Sequence, residues 1–391
     1  MARAPSIVMV SASFHPAVGG AEKQARELSR ALIRRGERVV VLTRRLPGLN
    51  REDSIDGVPV LRLWCLGQGL LNSVSFMASL FFYLMRRAWS YDVIHAHLAG
   101  SPALVCALVA KLRGKACLVK VGGGRGVGEL SGSRGSLSGR AKLWGLRVLA
   151  PPIVAVAKEV AGEITAHLGA LSVQVVPNGV DTERYRPATD LERAEARSRF
   201  GFPAAGIGFV YTGRFSPEKR LLWFLALWAE AARHGPSSSF LAFFGEGFEA
   251  PLLRREAVRL GVSSQVFIVA PVADVSRAYA AGDVFILPSV SEGLSNALLE
   301  AMASGLAALA SRVGGTAEAV AEAESGFLFD PNDEEGAKRQ IHKFLARPSL
   351  AREMGSAARA RALDGYSLTR IAERYDALYR SLMDQGPASR P

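Results

Sequence analysis

Residues Pro288–Gly305 read PSVSEGLSNALLEAMASG and follow the short apolar run DVFIL at positions 283–287. The apolar run is typical of a buried strand that ends at a proline. Ser295 is predicted to cap a helix whose leucines and methionine recur at helical spacing, and Gly305 is predicted to end that helix. Residues 291–294 therefore form a strand-to-helix turn, the place where an open α/β sheet binds its ligands.

Two carboxylates bracket this turn, with Glu292 in the loop and Glu300 in the second turn of the helix. Between them, the first backbone N–H groups of the helix and the positive end of its dipole favour a phosphate. Gly293 lets the backbone approach a ligand closely. A phosphate cradle with a carboxylate on each side suits a nucleotide sugar, which carries hydroxyls at both ends. The predicted cradle consists of Gly293, Leu294, Ser295 and Asn296.

The Glu292-x7-Glu300 spacing, inside PSxxEGLSNxxxEAMAxG, resembles the signature of family 4 retaining glycosyltransferases. The resemblance implies an α/β protein with the GT-B fold, in which two Rossmann-like domains face each other across a cleft. It implies an N-terminal acceptor domain at residues 1–182 and a nucleotide-sugar donor domain at 183–366. A C-terminal helix at 367–384 is expected to cross back to the first domain, and residues 385–391 are expected to be a disordered tail.

Composition agrees with two domains of ordinary size, since the chain has 391 residues and is 49% hydrophobic. Residues 1–185 carry 24 basic and 12 acidic side chains, whereas residues 186–391 carry 24 of each. The basic half predicts an anionic partner. No secretory signal peptide is recognisable at the N-terminus, and the three cysteines suit a reduced, cytoplasmic protein. Because neither an Asp-x-Asp nor a His/Cys cluster occurs, no metal or other cofactor is expected.

Two features of the first half resemble parts of the same family. Gly19 and Gly20 open a helix after the first strand without forming the dinucleotide fingerprint, so NAD is not indicated. In the family such a loop lies in the interdomain cleft, near the donor phosphates and the acceptor. His97 ends the strand YDVIHAH and resembles a histidine that contacts the donor sugar and assists at the reacting carbon. His95 is expected to face the opposite way and to pack in the core.

Two stretches of the first half are candidates for contact with the acceptor or with lipid, and each has two interpretations. Residues 122–140 form a Gly/Ser-rich loop that is either a disordered insert or a mobile acceptor loop. Its arginines, predicted to meet acceptor phosphates, are Arg125, Arg134 and Arg140. Residues 70–89 predict an apolar helix with a basic pair, Arg86 and Arg87, near its end. It is either a core helix or an interfacial helix that touches lipid.

The second half supplies the cations that a departing nucleoside diphosphate requires. Arg214 and Lys219 stand in GRFSPEK, which resembles the family's Gly-Arg-x-x-x-x-Lys element, and no metal motif provides an alternative. Gly245, in the Gly-Glu-Gly loop, and the backbone around Val269 are expected near the nucleobase.

Together these features predict a metal-independent retaining glycosyltransferase. Its donor would be a UDP- or GDP-sugar, and Glu292 and His97 would be its catalytic residues. The acceptor is expected to be a lipid-linked saccharide of cell-surface polysaccharide, lipopolysaccharide or glycolipid synthesis, reached by a peripheral protein at the cytoplasmic membrane face. The alternatives are a soluble-acceptor transferase, a nucleotide-sugar epimerase, or a non-catalytic binder of membranes or anions with a vestigial nucleotide site. Nucleic acid is not expected as a partner.

Overall fold

The computed structural model describes residues 3–16, 19–123, 131–133, 135–169, 171–233 and 235–385. The chain divides into two compact units. The first consists of residues 1–179 together with 368–391, and the second of residues 180–367. Each unit is built around a mainly parallel sheet, so the predicted α/β class with two Rossmann-like domains is confirmed.

The first unit contains an eight-stranded sheet in the order β3-β4-β2-β1-β5-β6-β7-β8, parallel except for the pairing of β3 with β4. Its strands are β1 Ser6–Val10, β2 Arg38–Arg44, β3 Glu52–Ile55, β4 Val58–Leu63, β5 Val93–His97, β6 Ala116–Val121, β7 Ile153–Ala155 and β8 Val173–Val175. Its helices between strands are α1 Gly20–Arg34, α2 Gly69–Arg86, α3 Ser101–Arg113, α4 Leu137–Leu149 and α5 Lys158–Leu168.

The second unit contains a six-stranded parallel sheet in the order β11-β10-β9-β12-β13-β14. Its strands are β9 Gly208–Thr212, β10 Phe240–Phe244, β11 Val266–Val269, β12 Val284–Leu287, β13 Ala307–Ser311 and β14 Gly326–Phe329. Its helices are α6 Asp190–Phe200, α7 Leu221–Ala232, α8 Ala250–Arg259, α9 Ser276–Ala281, α10 Asn296–Ala303, α11 Thr316–Ala319, α12 Glu334–Ala346 and α13 Ser349–Gly365.

The last helix, α14 at Leu368–Asp384, belongs to the first unit although it follows the second unit in sequence. Its apolar side chains recur at helical spacing and pack into one core cluster with α1 and the centre of the first sheet. The buried face of α14 is formed by Leu368, Ile371, Ala372, Tyr375, Leu378, Tyr379 and Leu382.

Two tyrosines of this helix differ in their hydrogen bonding. The Tyr379 hydroxyl lies 2.7 Å from His95 Nδ1 in the sheet, and both side chains are fully buried. The Tyr375 hydroxyl is equally enclosed, yet it has no hydrogen-bond partner among the residues that the structure describes. Because a buried polar group is costly only when it is left unsatisfied, the two hydroxyls should contribute with opposite sign to stability.

We therefore expect Tyr379→Phe to lower the free energy of unfolding by about 1–3 kcal/mol, because His95 Nδ1 loses its partner. The matched variant Tyr375→Phe removes a hydroxyl that bonds to none of the described groups and should leave stability unchanged or raise it. Urea denaturation of both variants and the wild type measures the difference. Equal losses in the two variants would contradict this account of how α14 is held.

Candidate active site

The residues predicted around the strand-to-helix turn at 291–294 all lie in the second unit. They follow strands that end at the same edge of its sheet. β9 and β12 pair in parallel, as do β12 and β13. Because parallel strands present their carboxyl ends together, the three loops that follow them meet at one edge. These loops occupy residues 213–220, 288–295 and 312–315.

Two of these loops are joined by an ion pair between predicted site residues. Lys219 Nζ lies 2.6 Å from Glu292 Oε1, and both side chains are largely buried. The hydroxyl of Ser289 donates to the same carboxylate oxygen at 2.7 Å. The loops are also joined through the backbone, since the Val290 N–H donates to the carbonyl of Glu218 at 3.0 Å. The carboxylate of Glu292 is therefore held in place from two sides.

The third loop packs directly against the turn that carries Glu292. The Gly315 N–H donates to the carbonyl of Gly293, and a Cβ added to Gly314 would lie 1.9 Å from the carbonyl oxygen of Glu292. Gly314 also has φ +49°, a conformation that side chains disfavour. Sequence reasoning left Gly314 and Gly315 outside the site, although the adjacent glycines were a visible signal of close backbone approach.

The predicted helix after the turn is α10, and Ser295 is its N-cap as expected. The Ser295 hydroxyl accepts a hydrogen bond from the Leu298 N–H at 3.3 Å. Gly293 and Leu294 precede the helix, and Asn296 is its first residue, so the predicted cradle residues adjoin one helix N-terminus. The geometry suits an anion at this end of α10.

Glu300 is buried on α10, and a hydrogen-bonded chain of side chains holds it. The Tyr279 hydroxyl donates to Glu300 Oε2 at 3.0 Å and lies 2.7 Å from the hydroxyl of Thr212 at the end of β9. Burial raises the pKa of Tyr279 far above its usual value, and the charge of Glu300 adds to this, so the tyrosine keeps its proton. Sequence reasoning missed Tyr279 because its helix carries no motif.

Glycines bring the remaining predicted donor residues close together. Gly245 has φ +149°, and a Cβ there would lie 1.9 Å from the carbonyl oxygen of Gly213. The Gly245 N–H donates to the carbonyl of Val269 at 3.0 Å, which joins the loop after β10 to the end of β11. The Arg214 side chain is exposed, and its carbonyl accepts a hydrogen bond from Tyr211.

In the first unit, His97 ends β5 and is buried. Its ring stacks on that of His95 with centroids 4.4 Å apart. The expectation that His95 faces away from His97 is wrong, because residues two apart in a strand share a face, although His95 does pack in the core. Burial lowers the pKa of His97 well below its usual value, and His95 and Lys120 lower it further, so the ring is neutral.

The other predicted residues of the first unit occupy separate places. Gly19 is the N-cap of α1, and Gly20 is its first residue. Arg140 is exposed on α4, whereas Arg125 and Arg134 lie outside the described residues. Within the described ranges, no group of three or more histidine, cysteine, aspartate or glutamate side chains could hold a metal ion. Within the same ranges, no helix is both long enough and apolar enough to cross a bilayer.

Two protein-family models match this chain. The model of the glycosyltransferase family 4 matches residues 18–184, and that of the glycosyl transferases group 1 matches residues 206–347. A D-inositol 3-phosphate glycosyltransferase from Segniliparus rotundus is 33% identical over 233 residues, which are 58% of this chain and 51% of the relative.

A second relative comes from Mycolicibacterium smegmatis and is named a GDP-mannose-dependent alpha-(1-6)-phosphatidylinositol monomannoside mannosyltransferase. It is 32% identical over 204 residues, which are 50% of this chain and 53% of the relative. The chain thus spans about half the length of the curated relatives it matches.

Solved structures share the fold across nearly the whole chain. HepE from Anabaena in complex with UDP superposes with a TM-score of 0.77 at 19% identity, covering 96% of this chain and 100% of that one. A glycosyltransferase from Rickettsia africae gives a TM-score of 0.81 at 15% identity, covering 98% and 99%. Since its first half matches the family 4 model and its second half matches the group 1 model, the chain belongs to the family 4 (group 1) glycosyltransferases, which have the GT-B fold.

Proposed function

We propose that the protein is a metal-independent retaining glycosyltransferase that transfers a sugar from a UDP- or GDP-sugar to a lipid-linked saccharide. The observation that carries this proposal is the convergence of Lys219, Glu292 and Glu300 at one edge of the second sheet, next to the N-terminus of α10. One relative is named a D-inositol 3-phosphate glycosyltransferase and the other a phosphatidylinositol monomannoside mannosyltransferase. These names support an acceptor that bears phosphate or lipid.

The family resemblance implies a role for each residue of the donor site, and the chemistry of the side chains supports it. Glu300, oriented by Tyr279, accepts hydrogen bonds from the ribose hydroxyls. Arg214, Lys219 and the backbone at the start of α10 bind the pyrophosphate, whose charge grows as the sugar leaves. Glu292 binds hydroxyls of the transferred sugar. The base lies beside Gly245 and Val269.

The transfer step needs no dedicated base. The bond between the anomeric carbon and the donor phosphate oxygen breaks, while a bond to the acceptor oxygen forms on the same face. The acceptor proton passes to the leaving phosphate oxygen. The anomeric configuration is retained because the new bond forms on the face from which the phosphate leaves. The family resemblance assigns His97 to the reacting carbon and Gly19 and Gly20 to the donor phosphates.

The acceptor side rests on an apolar and basic surface of the first unit. α3 packs between α2 and α4, and all three helices expose large apolar side chains. Trp89 is 73% exposed and Trp144 is 67% exposed. We define the proposed interfacial surface by the exposed apolar residues Leu70, Leu71, Phe82, Trp89, Leu112, Leu137, Trp144 and Val148 and the exposed basic residues Arg86, Arg87, Arg140 and Arg147.

Such a surface suits a bilayer that contains anionic lipid. Exposed tryptophan, phenylalanine and leucine enter the headgroup boundary, and nearby arginines are attracted by its negative potential. The net positive charge of residues 1–185 acts in the same direction. A peripheral position at the cytoplasmic membrane face would bring the protein to a lipid-linked acceptor.

The test of the donor site compares Lys219→Met with Glu292→Gln. We expect either change to lower kcat/KM for sugar transfer by at least about a hundredfold, because each removes a preorganised group of the transition state. Their effects on UDP or GDP binding should differ. Lys219→Met should weaken it, whereas Glu292→Gln should leave it unchanged or strengthen it, because Glu292 competes with phosphate for Lys219.

Calorimetry with UDP and GDP, without metal and with chelator, measures nucleotide binding by both variants. Sugar transfer to extracted membrane lipid measures the turnover. Normal binding and normal turnover in both variants would overturn the proposed donor site. Turnover that requires added metal would overturn the metal-independent mechanism.

A separate prediction concerns the hydroxyl that orients Glu300. Tyr279→Phe should raise the Kd for UDP or GDP by about three- to tenfold, since the carboxylate loses one hydrogen bond to a charged acceptor. The corresponding 2′-deoxynucleotide should be affected less, because it lacks a hydroxyl that Glu300 would bind. Tyr366→Phe in the same unit is the control. An equal loss for both nucleotides would contradict a role in ribose recognition.

The membrane contact predicts a charge-dependent partition. The double variant Arg86→Glu, Arg87→Glu should bind vesicles that contain phosphatidylglycerol at least tenfold more weakly, because each reversal repels the anionic surface. The matched variant Arg254→Glu, Arg255→Glu changes two exposed arginines of the second unit and should bind as the wild type does. Vesicle co-sedimentation measures both. Equal binding by all three proteins would contradict the proposed surface.

A further inference from the structure

A buried cation in the first unit has no role in the site described above. Lys120 lies on β6 and is only 4% exposed. Its Nζ atom stands 5.8 Å from the centre of the Tyr375 ring on α14. No hydrogen bond or ion pair joins the ammonium to any residue that the structure describes.

Apart from the aromatic ring of Tyr375, the described neighbours of Lys120 do not compensate its charge. His97 and His95 stand on the adjacent strand and are both neutral, since burial lowers the pKa of each. Burial likewise lowers the pKa of Lys120 to about 7, because a charged amine is disfavoured away from water. A buried ammonium is expensive unless an anion pairs with it. The described part of the chain supplies no anion that pairs with Lys120.

The place of Lys120 in the sheet is where ligands bind. Lys120 and His97 are partners in the β5–β6 register and stand at the carboxyl ends of their strands. The His97 Nε2 atom is also buried without a hydrogen-bond partner among the described residues. Two residues beyond Lys120, an added Cβ on Gly122 would meet no atom of the described residues within 4 Å. A buried ammonium and an imidazole N–H that lack hydrogen-bond partners among the described residues match an anion with several oxygens.

We propose that Lys120, assisted by His97, binds a phosphate group of the acceptor. The inference rests on the proposed transferase function and adds a binding subsite in the first unit. It also explains why an unpaired lysine stands in a core position, since residues kept for ligand binding are commonly retained at a cost in stability.

The test uses inorganic phosphate as the probe and four proteins: the wild type, Lys120→Met, Lys219→Met and the double variant. Calorimetry should find two classes of phosphate site in the wild type, one lost in each single variant and both lost in the double variant. Lys120→Met should raise the Kd for phosphate at the site assigned to Lys120 at least tenfold, which corresponds to about 1.4 kcal/mol. UDP should compete with phosphate for the Lys219 class and leave the Lys120 class in place.

A second readout separates binding from a structural role. Without phosphate, Lys120→Met should melt at the same or a higher temperature than the wild type, since it removes an uncompensated buried charge. High phosphate should raise the melting temperature of the wild type more than that of the variant. Lys111→Met, which changes an exposed lysine on α3, is the control and should behave as the wild type does.

The outcomes distinguish this inference from the proposed function. If Lys219→Met alone abolishes all phosphate binding, or Lys120→Met melts at a lower temperature with unchanged phosphate binding, the Lys120 subsite is refuted and the donor site stands. If UDP displaces phosphate from the Lys120 class, the phosphate belongs to the donor and the acceptor assignment is refuted. If Lys219→Met leaves nucleotide binding unchanged, the proposed donor site fails whatever Lys120 does.

Discussion

The parallel alignment of β9, β12 and β13 is the constraint on which the second unit depends. Parallel strands deliver their following loops to one edge, so residues far apart in sequence become neighbours without any long-range pairing of their own. Lys219 and Glu292 meet in this way. The resulting contacts are backbone to backbone as much as side chain to side chain, and Gly245 and Gly314 are required because a Cβ at either position would overlap a neighbouring carbonyl oxygen.

Much of this edge could be predicted from the sequence because its signals are local. The apolar run before Pro288, the cap at Ser295 and the spacing of the two carboxylates place a strand, a turn and a helix. The support of Glu300 could not be predicted, because Tyr279 reaches it from a different helix and no spacing along the chain relates the two. Positioning residues of this kind are defined by packing, which only the folded chain displays.

The first unit was harder to interpret for the same physical reason. Its long apolar helix α2 predicted a buried element or an interfacial one, and the choice depends on which faces its neighbours cover. In the structure α2 buries Phe76, Leu80 and Leu84 and leaves Leu70 and Phe82 exposed. Lys120 gave no signal either, since a single lysine in an apolar strand is identified as unusual only when its surroundings are known.

The first unit consists of two separate stretches of the chain, while the second is one continuous stretch whose ends, Val180 and Ser367, form a β-bridge. During synthesis, residues 1–179 therefore leave the ribosome without α14, whose side chains fill their core. The first unit can complete its core only after the second has been made. The unit whose synthesis begins first therefore cannot finish folding until the whole chain has been made, and apolar surface of the nascent first unit stays uncovered until the final helix emerges.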